Sequence, residues 1–100
     1  MNVVDSSGWL EYFADAPNAD FFAPVIDNTP ELLVPSVCLY EVFKRVYQQR
    51  GEDAALHAVA IMLQGLAVNL DPTIALNAAK TSRELRLPMA DSIILTTAQT

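Results

Sequence analysis

Apolar residues along the chain fall into two patterns: short runs typical of strands, and longer stretches with the period of a helix. Three short runs, MNVV, LLVP and AVNL, occupy residues 1–4, 32–35 and 67–70. Short apolar runs that are soon interrupted are compatible with buried strands, and Pro35 keeps the residue before it out of a helix. These runs therefore predict three strands with other elements between them.

The first two intervening segments carry helix signals. We expect Ser7 to cap a helix with Trp9 on its inner side, and residues 20–27 to form a second, short helix. Ser36 is positioned to cap the next helix, in which apolar residues recur every three or four positions. Gly51 suits the end of that helix, because glycine readily adopts the conformation found there.

Three more helices follow from the same kind of pattern. Residues 52–65 are apolar around most of a helix circumference, so we expect this helix to be well buried. Asp71 followed by Pro72 predicts a helix start, and Pro88 marks another. Strands that alternate with helices or helix pairs predict an α/β fold with a parallel sheet. With no repeat or linker, residues 1–100 form a single predicted domain.

Composition and charge narrow the possible functions. The chain has 100 residues, of which 52% are hydrophobic and only three are glycine, which is typical of one small folded domain. Its net charge of −6 disfavours general electrostatic binding of a phosphate backbone and suits a basic partner. A nuclease would need metal ions to reverse the sign of the potential at its site.

The remaining composition indicates a cytoplasmic protein. Cys38 is the single cysteine, so an internal disulfide and a thiolate metal cluster are both excluded. The N-terminal segment lacks a basic region and an apolar signal core. The longest apolar run is shorter than the ~20 residues that span a bilayer, so no membrane association is expected.

Three acids stand next to apolar residues at the predicted element boundaries. Asp5 follows the first strand, Glu41 lies in the second turn of the helix after the second strand, and Asp91 lies in the first turn of the last helix. Ligands of open α/β folds bind at the carboxyl ends of the strands. Converging carboxylates there would bind Mg²⁺ or Mn²⁺, which prefer oxygen ligands.

Each acid also has a purely structural interpretation. Asp5 is able to cap the first helix. Glu41 is spaced to pair with Lys44 or Arg45 on its own helix. An acid in a first turn, such as Asp91, interacts favourably with the helix dipole.

Three segments, NVVDSSGWLEYF, VPSVCLYEVFKRVYQQRG and LPMADSIILTTA, together resemble the PIN domain of VapC-type toxins over essentially the whole chain. The resemblance implies a three-layer α/β/α sandwich around a short parallel sheet. It implies a metal-dependent endoribonuclease toxin of a toxin-antitoxin system, with Mg²⁺ or Mn²⁺ as cofactor. The implied partners are an RNA substrate, an antitoxin that blocks the acidic site, and a second copy in a homodimer.

Carried over position by position, the family's first three acids match Asp5, Glu41 and Asp91, which would be both the catalytic residues and the metal ligands. Ser6 or Ser7 matches a hydroxyl residue that assists the first acid. The family pattern normally continues with a strand, a fourth acid and a last strand, none of which is present here. We therefore expect the first strand to lie at an exposed sheet edge that a partner chain covers, unless the terminal segment rearranges.

Two other functions fit the sequence. A catalytically degenerate PIN fold would serve as an interaction or dimerisation module, in keeping with the acidic surface and the missing fourth acid. An unrelated small helical domain is the third possibility, and it would be excluded if the three predicted strands pair in one parallel sheet.

Overall fold

A three-stranded parallel sheet lies at the centre of the fold. The computed structural model describes residues 1–99. The strands are β1 (Asn2–Val3), β2 (Leu32–Pro35) and β3 (Leu66–Val68), in the spatial order β1-β2-β3. This pairing confirms the predicted α/β class with a short parallel sheet, and it excludes the unrelated helical domain.

Within residues 1–99, six helices pack around the sheet. They are α1 (Ser6–Phe13), α2 (Ala19–Asp27), α3 (Ser36–Arg50), α4 (Glu52–Met62), α5 (Pro72–Leu85) and α6 (Met89–Ala98), and a 3-10 turn (Thr29–Glu31) precedes β2. Helix α3 packs against α4, α5 packs against α6, and α1 contacts both α2 and α3. No helix within residues 1–99 is long and apolar enough to cross a membrane.

The core is centred on β2, all four residues of which are buried. On α3 the buried side chains are Cys38, Val42 and Val46, which recur every four residues and so form one stripe along the helix. The indole of Trp9 on α1 is fully buried in the same cluster. Helices α1 and α3 are thereby fixed against each other at the end of the sheet where Asp5 emerges.

Two predicted helix caps prove wrong, and both serines have other roles. Asp5, rather than Ser7, caps α1 by accepting a hydrogen bond from the Gly8 backbone N–H. Ser36 is the first residue of α3, and its hydroxyl lies 3.0 Å from the Val68 carbonyl oxygen at the end of β3. Ser36 therefore ties the start of α3 to β3 instead of capping its own helix.

The predicted burial of the helix that begins at residue 52 is also wrong. Helix α4 ends at Met62, and its buried side chains are Ala55, Ala58 and Met62, on one stripe. Leu56 and Leu63 are each about half exposed. The segment has more apolar residues than the one face of α4 that packs against α3 can bury.

Strand β1 lies at an edge of the sheet within the described residues, as expected, because its only strand partner there is β2. A largely apolar cleft of about 530 Å³ adjoins it, with Val3, Phe22, Val25 and Leu95 in its walls. The coverage of this edge by a partner chain remains a prediction.

Candidate active site

Asp5, Glu41 and Asp91 line a single cleft of about 550 Å³, which we call the acidic cleft. Asp5 lies between β1 and α1, Glu41 lies in the second turn of α3, the helix that follows β2, and Asp91 lies in the first turn of α6. The fold thus brings together all three acids proposed from the sequence, although they come from widely separated segments. Their catalytic and metal-binding roles remain predictions.

Asp5 has a structural role and also borders the cleft. Its Oδ1 accepts hydrogen bonds from the Gly8 N–H at 2.8 Å and from the Ser7 hydroxyl at 3.1 Å. The structural interpretation of Asp5 as a helix cap is therefore correct. Its second oxygen, Oδ2, has no hydrogen bond to any residue in 1–99, so capping leaves one oxygen available to a ligand.

Glu41 is held by α1 rather than by its own helix. The Ser6 hydroxyl donates a 2.6 Å hydrogen bond to Glu41 Oε1, which links the start of α1 to α3. Within residues 1–99, Glu41 forms no ion pair with Lys44 or Arg45, so the proposed pairing along the helix is wrong. Of the two serines that the sequence left open, Ser6 contacts the second acid and Ser7 contacts the first.

Asp91 differs from the other two acids in its hydrogen bonding, whereas its exposure is shared with Asp5. Its carboxylate is exposed and accepts no hydrogen bond from the part of the chain that the structure describes. Its position in the first turn of α6 agrees with the helix-dipole interpretation. Asp91 is consequently free to bind a ligand without breaking an existing contact.

Cys38 lies fully buried in the core next to these acids. Burial raises the pKa of its thiol to about 11, a hydrogen bond with Ser6 opposes the rise, and the charges of Glu41 and Asp5 add to it. Because a protonated thiol is a poor nucleophile and a poor metal ligand, Cys38 is a structural residue at neutral pH.

A basic and aromatic wall of the acidic cleft was missed by the sequence reasoning. Tyr40, Lys44, Arg45 and Gln48 line it together with the acids. Lys44 Nζ lies 5.8 Å from the centre of the exposed Tyr40 ring. The signal was present in the sequence, because the part of α3 after Glu41 reads VFKRVYQQR and contains no acid.

The comparisons with known proteins agree with this architecture. The family model described as PIN domain matches residues 3–100. The chain belongs to the PIN-domain family. PIN domains are generally nucleases, which supports this class of activity at the level of the family.

A solved structure has the same fold as this PIN domain. It is a toxin-antitoxin complex from Klebsiella pneumoniae, with 19% sequence identity and a TM-score of 0.81. The match covers 99% of this PIN domain and 78% of the Klebsiella chain. At this identity the likeness shows the fold alone. No curated protein matches this PIN domain.

PIN nucleases generally use divalent metals, and the donor chemistry of this PIN domain suits one. The acidic cleft offers carboxylate oxygens, which are the ligands that Mg²⁺ and Mn²⁺ prefer. Within residues 1–99, however, no three His, Cys, Asp or Glu side chains are grouped closely enough to hold one ion. Mg²⁺ commonly keeps several waters and binds one or two carboxylates plus substrate phosphates, so a site for it does not require three closely grouped side chains.

Proposed function

We propose that this PIN domain is a metal-dependent endoribonuclease of the VapC type that hydrolyses RNA phosphodiester bonds at the acidic cleft. The observation that carries the proposal is the position of Asp5, Glu41 and Asp91, which come from distant segments and line one cleft at the end of the sheet.

The residues that line the acidic cleft would have different roles. Asp5, Glu41 and Asp91 would hold Mg²⁺ or Mn²⁺, partly through waters, and the bound ion would supply an activated water and charge neutralisation at the phosphate. Ser6 orients Glu41 through the 2.6 Å hydrogen bond. Lys44 and Arg45 border the same cleft, where positive side chains attract the phosphates of an approaching RNA.

The proposed setting is a cytoplasmic toxin-antitoxin pair. The structural neighbour is a toxin-antitoxin complex, and the net charge of −6 suits a basic antitoxin that blocks the acidic cleft. A homodimer belongs to the same proposal, since β1 pairs only with β2 within residues 1–99, and its free edge with the adjoining apolar cleft offers a surface for a second copy.

Cleavage of a mixed RNA pool by the purified protein with Mn²⁺ or Mg²⁺ tests the proposed activity. We expect Asp91→Asn or a chelator to reduce cleavage by about 100-fold or more, because several kcal/mol of metal-derived stabilisation would be lost. Asp53→Asn is the matched control, because Asp53 lies in the first turn of α4 and outside the cleft. Cleavage that survives both Asp91→Asn and the chelator would refute the proposal.

A catalytically degenerate interaction module is the second candidate. It is favoured by the lack, within residues 1–99, of three metal-binding side chains grouped around one point. Titration of Mn²⁺ followed by electron paramagnetic resonance separates the two candidates. Binding that Asp91→Asn weakens supports the nuclease, whereas a folded protein that neither binds Mn²⁺ nor cleaves RNA supports the interaction module.

A further inference from the structure

The positive charges of this acidic protein are unevenly distributed. The chain has six Lys and Arg residues against twelve acids, yet three of the six lie in the second half of α3. They are Lys44, Arg45 and Arg50, and no acid follows Glu41 on this helix. The helix therefore changes from an acidic character at the cleft to a basic character toward its C-terminus.

Lys44 and Arg45 line the acidic cleft, and Arg45 and Arg50 line a second cleft beside it. The second cleft, of about 320 Å³, lies between α1 and α3, and Leu10 and Arg45 line both clefts. We call this second cleft the α1–α3 groove; Gln49 and Arg50 lie on its α3 wall, and Glu11 is its acid. The two clefts thus adjoin each other at Leu10 and Arg45.

Arg50 is fixed in place along this groove. Its Nη1 donates a 3.3 Å hydrogen bond to the Phe13 carbonyl oxygen at the end of α1. A guanidinium has five N–H donors, so this bond leaves others available. Arg45 lies one helical turn from Glu41, and residues so spaced have Cβ atoms about 5–6 Å apart. A phosphate next to the one in the acidic cleft would therefore lie within reach of Arg45.

Tyr40 adds a stacking surface at the mouth of the acidic cleft. Tyr40 is 64% exposed, so its ring is accessible from solvent. An exposed ring beside cationic side chains is a platform for a nucleic-acid base. Bases are free to stack on protein rings when they are single-stranded, whereas in a duplex they are stacked on each other.

We propose that the basic wall of the acidic cleft and the adjoining α1–α3 groove together bind the single-stranded RNA that flanks the scissile phosphate. Lys44 and Arg45 would contact the nearest phosphates, Arg50 in the groove a more distant one, and Tyr40 would stack on a base. This assignment rests on the proposed ribonuclease function, since it places the scissile phosphate at the acids. It accounts for how a protein of net charge −6 attracts RNA, namely through a local basic surface.

The test measures RNA binding separately from cleavage. A fluorescently labelled single-stranded RNA pool is titrated with protein at low salt, with a chelator present so that no metal-dependent cleavage occurs. The test variant is Lys44→Gln with Arg45→Gln. The matched control is Lys80→Gln with Arg83→Gln on α5, where both side chains are exposed and border neither cleft. Each double variant removes two positive charges and takes the net charge from −6 to −8.

We expect the Lys44/Arg45 double variant to raise the Kd about tenfold and the control to change it less than about twofold. The slope of log Kd against log salt should fall by about 1.4 for the test variant, from two lost phosphate contacts at about 0.7 each. Equal weakening by both double variants would show a general charge effect and overturn the groove assignment. So would binding that neither variant changes, or wild-type protein that does not bind the pool.

Tyr40→Ala tests the stacking contact, with Tyr47→Ala as control because Tyr47 is a second half-exposed tyrosine of α3 that packs beside Phe43. We expect Tyr40→Ala to weaken single-strand binding about fivefold or more, with no effect on a duplex of the same sequence.

The binding and cleavage experiments can refute the groove proposal and the nuclease proposal independently of each other. If the protein cleaves RNA but both double variants weaken binding equally, only the groove proposal is refuted. If the Lys44/Arg45 variant alone weakens binding but no metal-dependent cleavage occurs, only the nuclease proposal is refuted.

Discussion

Asp5 and Glu41 are each held by hydrogen bonds from the first turn of α1, whereas Asp91 accepts none from residues 1–99. The first two acids lie on elements that share the central core with β2. Asp91 lies on α6, which packs mainly against α5 and makes fewer contacts with α3 and the sheet. One half of the acidic cleft is thus positioned by direct side-chain contacts, and the other half by the placement of a whole helix.

This difference has a physical consequence for ligand binding. A carboxylate that already accepts hydrogen bonds is oriented before a ligand arrives, and it gives up part of its bonding capacity in exchange. An exposed carboxylate without partners keeps all its lone pairs but must be ordered when a ligand binds, at a cost in conformational entropy. The half formed by Asp5 and Glu41 should therefore be sensitive to changes in α1, and Asp91 should tolerate substitution without loss of stability.

The largest effect that tests this comparison is expected from Gly8→Ala. A Cβ at Gly8 would lie 2.7 Å from Val4 Cγ1, 2.9 Å from Phe22 Cε1 and 3.1 Å from Asp5 Oδ1. Because Val4 is buried, the added methyl group cannot be accommodated without shifts. We expect the free energy of unfolding to fall by about 1–3 kcal/mol, measured by urea denaturation, and cleavage to fall with it.

Gly51→Ala is the control for this substitution. A Cβ there would meet no atom within 4 Å, but the φ of 89° disfavours a side chain, at a cost of about 1 kcal/mol. We expect Gly51→Ala to lower stability while preserving cleavage by the folded protein. If Gly8→Ala is as active as Gly51→Ala once both are folded, the first turn of α1 does not position the acids.

The sequence predicted local structure best at positions where only one conformation suits the residues present. Asp71 before Pro72 predicted the start of α5, and the structure shows Asp71 Oδ1 accepting a 2.8 Å hydrogen bond from Ile74 N–H. Gly51 at the end of α3 has the positive φ that favours glycine. The elements that carry Asp5, Glu41 and Asp91 followed from the apolar pattern as well.

Predictions failed where neighbouring residues offer the same chemistry or where the answer depends on distant segments. Asp5 and Ser7 are both good caps, and only the backbone geometry selects Asp5. The exposure of Leu56 on α4 depends on which elements pack beside that helix, which its own periodicity does not encode. The hydrogen bond from Ser6 to Glu41 joins residues 35 positions apart, and it needed the packing of α1 on α3 to be known.

Smaller losses of stability are expected when single aspartates are replaced by alanine. Asp5→Ala removes the cap of α1 and should lower the free energy of unfolding by about 1 kcal/mol. Asp71→Ala removes the cap of α5 and should cost about the same, although it lies outside the acidic cleft. Asp91→Ala removes only a dipole interaction at an exposed site, so about 0.5 kcal/mol or less is expected.

Activity should follow a different order from stability in these three variants. Asp5→Ala and Asp91→Ala should both abolish metal-dependent cleavage, while Asp71→Ala should retain it when folded. Thermal denaturation and the RNA cleavage assay, run on the same samples, check both orders. The comparison breaks down if Asp91→Ala destabilises the protein as much as Asp5→Ala does.

The smallest effect is a change in the pKa of the buried Cys38 thiol, which reports on the charges around it. Burial, with the charges of Glu41 and Asp5, raises this pKa from 9.0 to about 11, and Asp91 is not among the causes. Between these values the unfolded chain loses the thiol proton while the folded protein keeps it. The contribution of Cys38 to stability is therefore complete below pH 9 and is lost as the pH rises toward 11.

Titration of the Cys38 ¹³Cβ chemical shift by NMR distinguishes the two halves of the cleft. Glu41→Gln and Asp5→Asn each remove a charge that disfavours the thiolate, so both should lower the Cys38 pKa. Asp91→Asn should leave it unchanged, because Asp91 is not among the charges that raise the pKa of this thiol. An equal fall in all three variants would mean that the three acids form one tight cluster around the thiol. In that case Asp91 would be as closely integrated into the site as the other two acids.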